Sequence, residues 1–150
     1  MTAPAKSIRQ LIVEAVDTRL KTILTTGNYA TNIGAHVHWF RKRLDKDGLP
    51  AIVCRDRLLP PINKIRWTRT LVIEMEFHLE AATTPDTILR SALADIETAV
   101  GVDPTWGGLV EDTEYGESEK QSIDDYETVL VAGGFFLALE YTTDPWNPRA

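Results

Sequence analysis

The stretch from Arg69 to Ala82, RTLVIEMEFHLEAA, alternates with little exception. Leu71, Ile73, Met75, Phe77, Leu79 and Ala81 fall on one side, and Thr70, Val72, Glu74, Glu76, His78 and Glu80 on the other. Strand side chains project to opposite faces with a period of two, so this predicts one long strand with a dry and a mostly wet face. A one-residue slip would put Glu74, Glu76 and Glu80 into the core, which specifies the register strongly. The dry face of such a strand needs an apolar layer laid on it.

Two amphipathic helices can supply that layer. Ile8, Leu11, Ile12, Ala15, Val16, Leu20, Ile23 and Leu24 recur at three- and four-residue spacing, which predicts a helix. Ser7 and Gln10 form a capping-box pair at its start, and Gly27 is the expected stop. The second helix is predicted from Thr84-Pro85-Asp86 to Gly101, with Ile88, Leu89, Ala92, Leu93, Ile96, Ala99 and Val100 as its apolar face. Thr is expected as its cap, Pro at its first position and an acid in its first turn.

The remaining elements are read from turn chemistry. Ala35 to Leu44 is expected to be a strand, turning at Lys46-Asp47-Gly48 into a return strand from Leu49 to Arg55. Pro50 is confined to the start of that strand because it cannot donate to a ladder. Leu58 to Lys64, with Pro60-Pro61, is expected to be an exposed loop. Trp106-Gly107-Gly108-Leu109 reads as a turn before a short strand near Val110 to Tyr115. The acidic segment 116–125 is expected to be a mobile loop, and a last strand runs from Glu127 to Thr142 with a bulge or bend at Gly133-Gly134. The tail, 143–150, is irregular, with Trp146 docking on its own subunit or on a partner. The expected architecture is one α/β (α+β two-layer) domain over 1–150. It has a mainly antiparallel sheet of four to five strands and both helices on one face.

The chain is 150 residues long with a net charge of −6, which argues against a general nucleic-acid coat, since phosphate binding needs excess Lys and Arg. No apolar run approaches the roughly 20 residues that cross a bilayer, so no membrane is expected. MTAPAKSIRQ lacks the long apolar core of a signal peptide. A single cysteine, Cys54, excludes an internal disulfide and fits a reducing compartment.

The charge is segregated. Nine bases lie between Arg41 and Arg69 against Asp45, Asp47 and Asp56, whereas eight acids lie between Glu111 and Glu127 against Lys120 alone. Charge blocks are commonly solvated surfaces. The sharper reading is a bipolar subunit whose basic side meets the acidic side of the next copy, a head-to-tail contact that closes into a ring when the rotation permits.

Catalytic signals are weak. His36 and His38, two apart on a predicted strand, have the spacing to present two imidazoles to one metal, with His78 or Cys54 as a third ligand. Such pairs are more commonly ordinary surface histidines, and no metal site is expected. Glu74, Glu76 and Glu80 share a strand face, and without a pocket signature they read as its wet side. Cys54, after Ala51-Ile52-Val53, reads as a small core residue. There is no G-x-S-x-G, P-loop or G-x-G-x-x-G pattern. No enzyme activity and no cofactor are expected.

Several phrases, in order, resemble the tail terminator (tail completion) proteins of long-tailed bacteriophages. They are SIRQLIVEAVDTRLKTIL, then Leu49-Pro50-Ala51-Ile52-Val53, RTLVIEMEFHLEA, Pro85-Asp86 leading to Leu93-Ala94-Asp95-Ile96-Glu97, Gly107-Gly108-Leu109, and a final strand closing with Tyr141-Thr142-Thr143-Asp144. The likeness covers nearly the whole chain. Trp106 stands where a leucine would be expected before the two glycines, and the segment from Cys54 to Asn63 has no counterpart.

The resemblance implies a structural protein of the virion with no catalytic residues. It implies a hexameric ring on the head-proximal end of the tail tube that stops tube polymerisation and offers the surface for head attachment. The implied partners are copies of the same chain, the tail tube protein and a head-completion or connector protein. DNA passes through the lumen without specific binding, and assembly takes place in the host cytoplasm. On this reading Arg41, Arg43, Arg55 and Arg57 face Glu111, Glu114 and Glu117 of a neighbour. The 111–127 loop would either line the lumen or order against the tube or head connector. The alternatives are another phage head–tail adaptor and, further off, a small metal-dependent enzyme built on His36 and His38.

Overall fold

A computed structural model describes residues 5–41, 44, 48–63, 65–118, 121–125 and 129–150. Its elements are α1 (Ile8–Leu20), β1 (Val37–Trp39), β2 (Ala51–Leu58), β3 (Trp67–Glu80), α2 (Pro85–Gly101), β4 (Asp112–Glu117), β5 (Ser122–Asp125) and β6 (Val129–Thr143). They form a mixed α+β fold in which two helices cover one face of a six-stranded, mainly antiparallel sheet.

β3 is the central strand, and its alternation falls as predicted. Leu71, Ile73, Met75, Phe77 and Leu79 are buried, while Glu74, Glu76 and Glu80 are exposed. It pairs antiparallel with β2 on one side and with all of β6 on the other, from Trp67↔Thr143 to Glu80↔Leu130. β6 repeats the pattern, burying Val131, Phe135, Leu137, Leu139 and Tyr141 on the same side. Ile12, Val16 and Leu20 of α1 and Ala92, Leu93, Ile96, Ala99 and Val100 of α2 complete one continuous core. Burying a side chain such as Phe77 contributes roughly 1.5–3 kcal/mol.

The glycine pair expected to bend β6 does something different. The β3–β6 register runs unbroken through Gly133 and Gly134. The extra residues lie in the opposite strand, because β4 ends opposite Phe135 and β5 begins opposite Ala132. The acidic segment expected as a loop from 116 to 125 is therefore mostly edge strand, interrupted where the glycines make room for it. A Cβ on Gly134 would come within 2.0 Å of Ser118 Oγ, and one on Gly133 within 2.3 Å of the Phe77 ring.

Three other expectations are corrected. β1 and β2 do not form a hairpin. They pair parallel, Val37↔Ile52 to Trp39↔Cys54, and β1 is three residues long. Phe40, in the left-handed region at φ 57°, ends it, and the expected turn residues Lys46 and Asp47 lie outside the described residues. α1 stops at Leu20, and the chain then runs through a short 3-10 turn over Thr25–Gly27, with the left-handed position at Asn28 instead of Gly27. α2 has the expected extent, but Thr84 is itself left-handed and its side chain caps nothing. Its C-terminus is held by Arg19 of α1, whose Nη1 donates to the carbonyls of Ala99, Val100 and Asp103.

The tail folds back on the rest of the chain. Ile8 N–H donates to Pro148 O, and Trp146 meets Trp67 edge-on with centroids 4.7 Å apart. No helix among the described residues is long and apolar enough to cross a membrane.

Candidate functional site

The helices leave the second face of the sheet open, and the charged residues singled out in the sequence gather there. On β2, the residues alternate with buried Ile52 and Cys54, so Val53, Arg55 and Arg57 point away from the helices. On β3 the same face carries Val72, Glu74, Glu76 and His78. On β6 it carries Phe136 and Ala138, and on β4 Asp112 and Glu114. A broad groove of about 1280 Å³ lies over this face, with Arg41, Arg55 and Arg57 along one wall and Phe136 and Ala138 in its floor.

The registers place Arg57, Val72, Ala138 and Glu114 on a single rung across four strands. The rung is basic at one end, apolar in the middle and acidic at the other. Strands lie about 4.8 Å apart, so its ends are separated by roughly 14 Å, beyond the reach of a direct ion pair within the chain. The next rung, Arg55–Glu74–Phe136–Gly116, has the same basic start. Arg57 makes a loose contact with Glu74 at 3.9 Å, both side chains more than half exposed. Such a contact contributes little.

The remaining predicted residues separate. Arg41 stands at the basic edge with its Nη1 against the His38 ring; Arg43 lies outside the described residues. Glu111 precedes β4, where its backbone N–H donates to Glu140 O and its carboxylate accepts from Thr142 Oγ1. Glu117 is opposite Phe135 and therefore shares the helix side, not the open side. Tyr115, also on that side, stacks on Phe135 and donates its hydroxyl to Glu97 of α2, an acceptor that raises its pKa.

His36 and His38 do come together, their rings stacked 6.5 Å apart. His36 Nδ1 lies 3.0 Å from Pro50 O. Burial first, then the nearby Arg41 and His36 charges, hold the His38 pKa below its ordinary value. Cys54 is on the opposite face from His38, buried in the core, where desolvation pushes its thiol pKa up. No group of three or more His, Cys, Asp or Glu residues able to hold a metal occurs among the described residues.

Sequence reasoning missed two features. Asp112 joins Glu114 on the open face, and Glu140 lies beside it across the β4–β6 ladder. The segment after Leu58 is exposed as expected, but backbone bonds tie it into an arm. Leu59 N–H donates to Thr70 O, and Ile62 and Thr68 exchange two backbone bonds, which continues the β2–β3 hairpin past the sheet. The Pro60-Pro61 pair hides that continuation, because neither residue can donate to a ladder.

The fold and this face define a two-layer α+β domain whose second sheet face carries no helix among the described residues. No family model and no curated protein matches the chain.

Proposed function

We propose that this chain is a structural protein of a long-tailed bacteriophage, a tail terminator that assembles as a hexameric ring on the tail tube. The ring ends polymerisation of the tube and offers the surface to which the filled head attaches. The resemblance in the order of sequence phrases brings the reading to this family. The Arg57–Val72–Ala138–Glu114 rung is the structural observation that favours it. Opposite charges at opposite edges of one open sheet face cannot satisfy each other within a subunit. They match the requirement of a head-to-tail contact, in which two dissimilar sides of one chain must be complementary. Arg41, Arg55 and Arg57 of one copy face Asp112 and Glu114 of the next, and charge complementarity of this kind fixes register and suppresses wrong pairings.

Light scattering tests this reading through reciprocal charge reversal. R55E/R57E and D112K/E114K should each reduce the assembly to the 16.8 kDa single chain, and mixing the two variants should restore a larger species. An unchanged mass in both variants would contradict the pairing.

A further inference from the structure

The arm beyond β2 presents apolar side chains to water. Ile62 is 66% and Ile65 89% exposed. Asn63, at φ 77°, makes the turn between them, and its Oδ1 accepts from Ile65 N–H. From Arg57 to Arg69 the sequence contains Arg57, Lys64, Arg66 and Arg69 and no acid. Arg69 is buried against Thr143 Oγ1, so the arm is an apolar tip beside the exposed Arg66, and it grows from the end of the sheet where Arg57 stands.

The opposite side of the molecule has the complementary properties. From Glu111 to Asp125 there are seven acids and only Lys120 as a base. Among the described residues β4 ends the sheet and pairs only with β6 along its length, so its outer backbone groups form an edge that a strand can extend. Tyr115, on that edge, is 51% exposed.

We infer that the arm of one copy docks on the β4 edge of a second copy of this chain, with Ile62 and Ile65 packing beside Tyr115 and Arg66 meeting Glu111, Asp112 and Glu114. The inference rests on the ring reading and adds an apolar anchor to a contact otherwise made by charges. Electrostatic pairs steer and register such an interface, while desolvated apolar anchors near its centre carry most of the affinity. Ile62 and Asn63 of the arm fall in the stretch from Cys54 to Asn63 that had no counterpart in the phage resemblance.

The test combines one disruptive variant with one cross-link. I62D/I65D alters two exposed residues, and its thermal midpoint should stay within a few degrees of the parent. Its light-scattering mass should fall to that of a single chain. Separately, Ile65→Cys and Glu114→Cys proteins, mixed and treated with a short bismaleimide, should give a covalent dimer, while neither alone does. Cys54 is fully buried and leaves a clean background. An I62D/I65D ring that persists, or mixed proteins that do not cross-link, would overturn the docking and leave the arm to some other partner, with the ring itself standing. A parent protein that is monomeric would overturn the ring reading and the inference with it.

Discussion

The side-chain amide of Gln121 pairs with the backbone of Gly134 as a strand residue would, donating from Nε2 to Gly134 O at 3.0 Å and accepting from Gly134 N–H at 3.1 Å. Nε2 also donates to Ser118 O. The amide therefore bridges the gap between β4 and β5, and Gly133 makes room for it, since a Cβ there would lie 2.4 Å from Gln121 Oε1, while Gly134 makes room for Ser118. Gln121→Ala would take the acceptor from Gly134 N–H, while Gly134 O keeps its bond from Ser118 N–H, costing about 1–3 kcal/mol. Gly133→Ala would drive a methyl into the Phe77 ring, with an overpacking cost of about 1–3 kcal/mol. Thermal unfolding followed by circular dichroism should show both variants melting several degrees below the parent. An unshifted midpoint for Gly133→Ala would mean that the core at Phe77 is looser than described.

Asp95 ties the turn after α1 to α2. Its carboxylate is 6% exposed and accepts from Ala30 N–H, Thr31 N–H and Thr31 Oγ1, the last at 2.6 Å. Removing it strands three donors, two of them on Thr31, which is itself buried. Asp95→Ala should lower stability by roughly 1–3 kcal/mol in a urea titration, with the midpoint moving and the slope unchanged. Asp95→Asn, which retains one acceptor oxygen, should lose less.

Asp103 gives the fold an acid-sensitive turn. It accepts from the Thr105 hydroxyl, Gly107 N–H and Thr105 N–H, and those bonds, the hydroxyl first, lower its pKa to about 2. A carboxyl depressed on folding stabilises above its unfolded pKa of about 4 and loses that contribution as pH falls through about 2. Melting temperature measured between pH 5 and pH 2 should therefore fall less steeply in Asp103→Asn than in the parent. Parallel curves would remove Asp103 from the acid response.

Salt should loosen the assembly if exposed charges register it. The Debye length shrinks from about 10 Å at 0.1 M to about 3 Å at 1 M. Sedimentation of the parent should show the ring shifting toward single chains across that range at low protein concentration. R55E/R57E, already reduced to single chains, should show no such shift.

Much of the architecture was legible because it rests on local periodicity. β3, β6 and α2 carry long period-two or helical patterns, and their observed bounds differ from the expected ones by about two residues. The failures share a different cause. Asp47-Gly48 signals a turn without saying which strands it joins, and the parallel pairing of β1 with β2 is fixed by contacts such as Phe40 N–H to Cys54 O. α1 ends early although its apolar stripe continues to the fully buried Ile23. There Gly34 approaches so closely that a Cβ would lie 2.1 Å from Leu20 O, a packing constraint no local pattern records. The charge blocks foretold the two edges but not the faces. Glu114 and Glu117 are three residues apart on a strand, so one points to the open side and the other to the helices.

The proposed ring requires copies of this chain to meet one another through the bipolar sheet face. Negative-stain electron microscopy of the purified protein in low salt examines that directly. Closed rings of uniform diameter with a central opening are the expected image, and fields of isolated particles the size of one subunit at high protein concentration would contradict it.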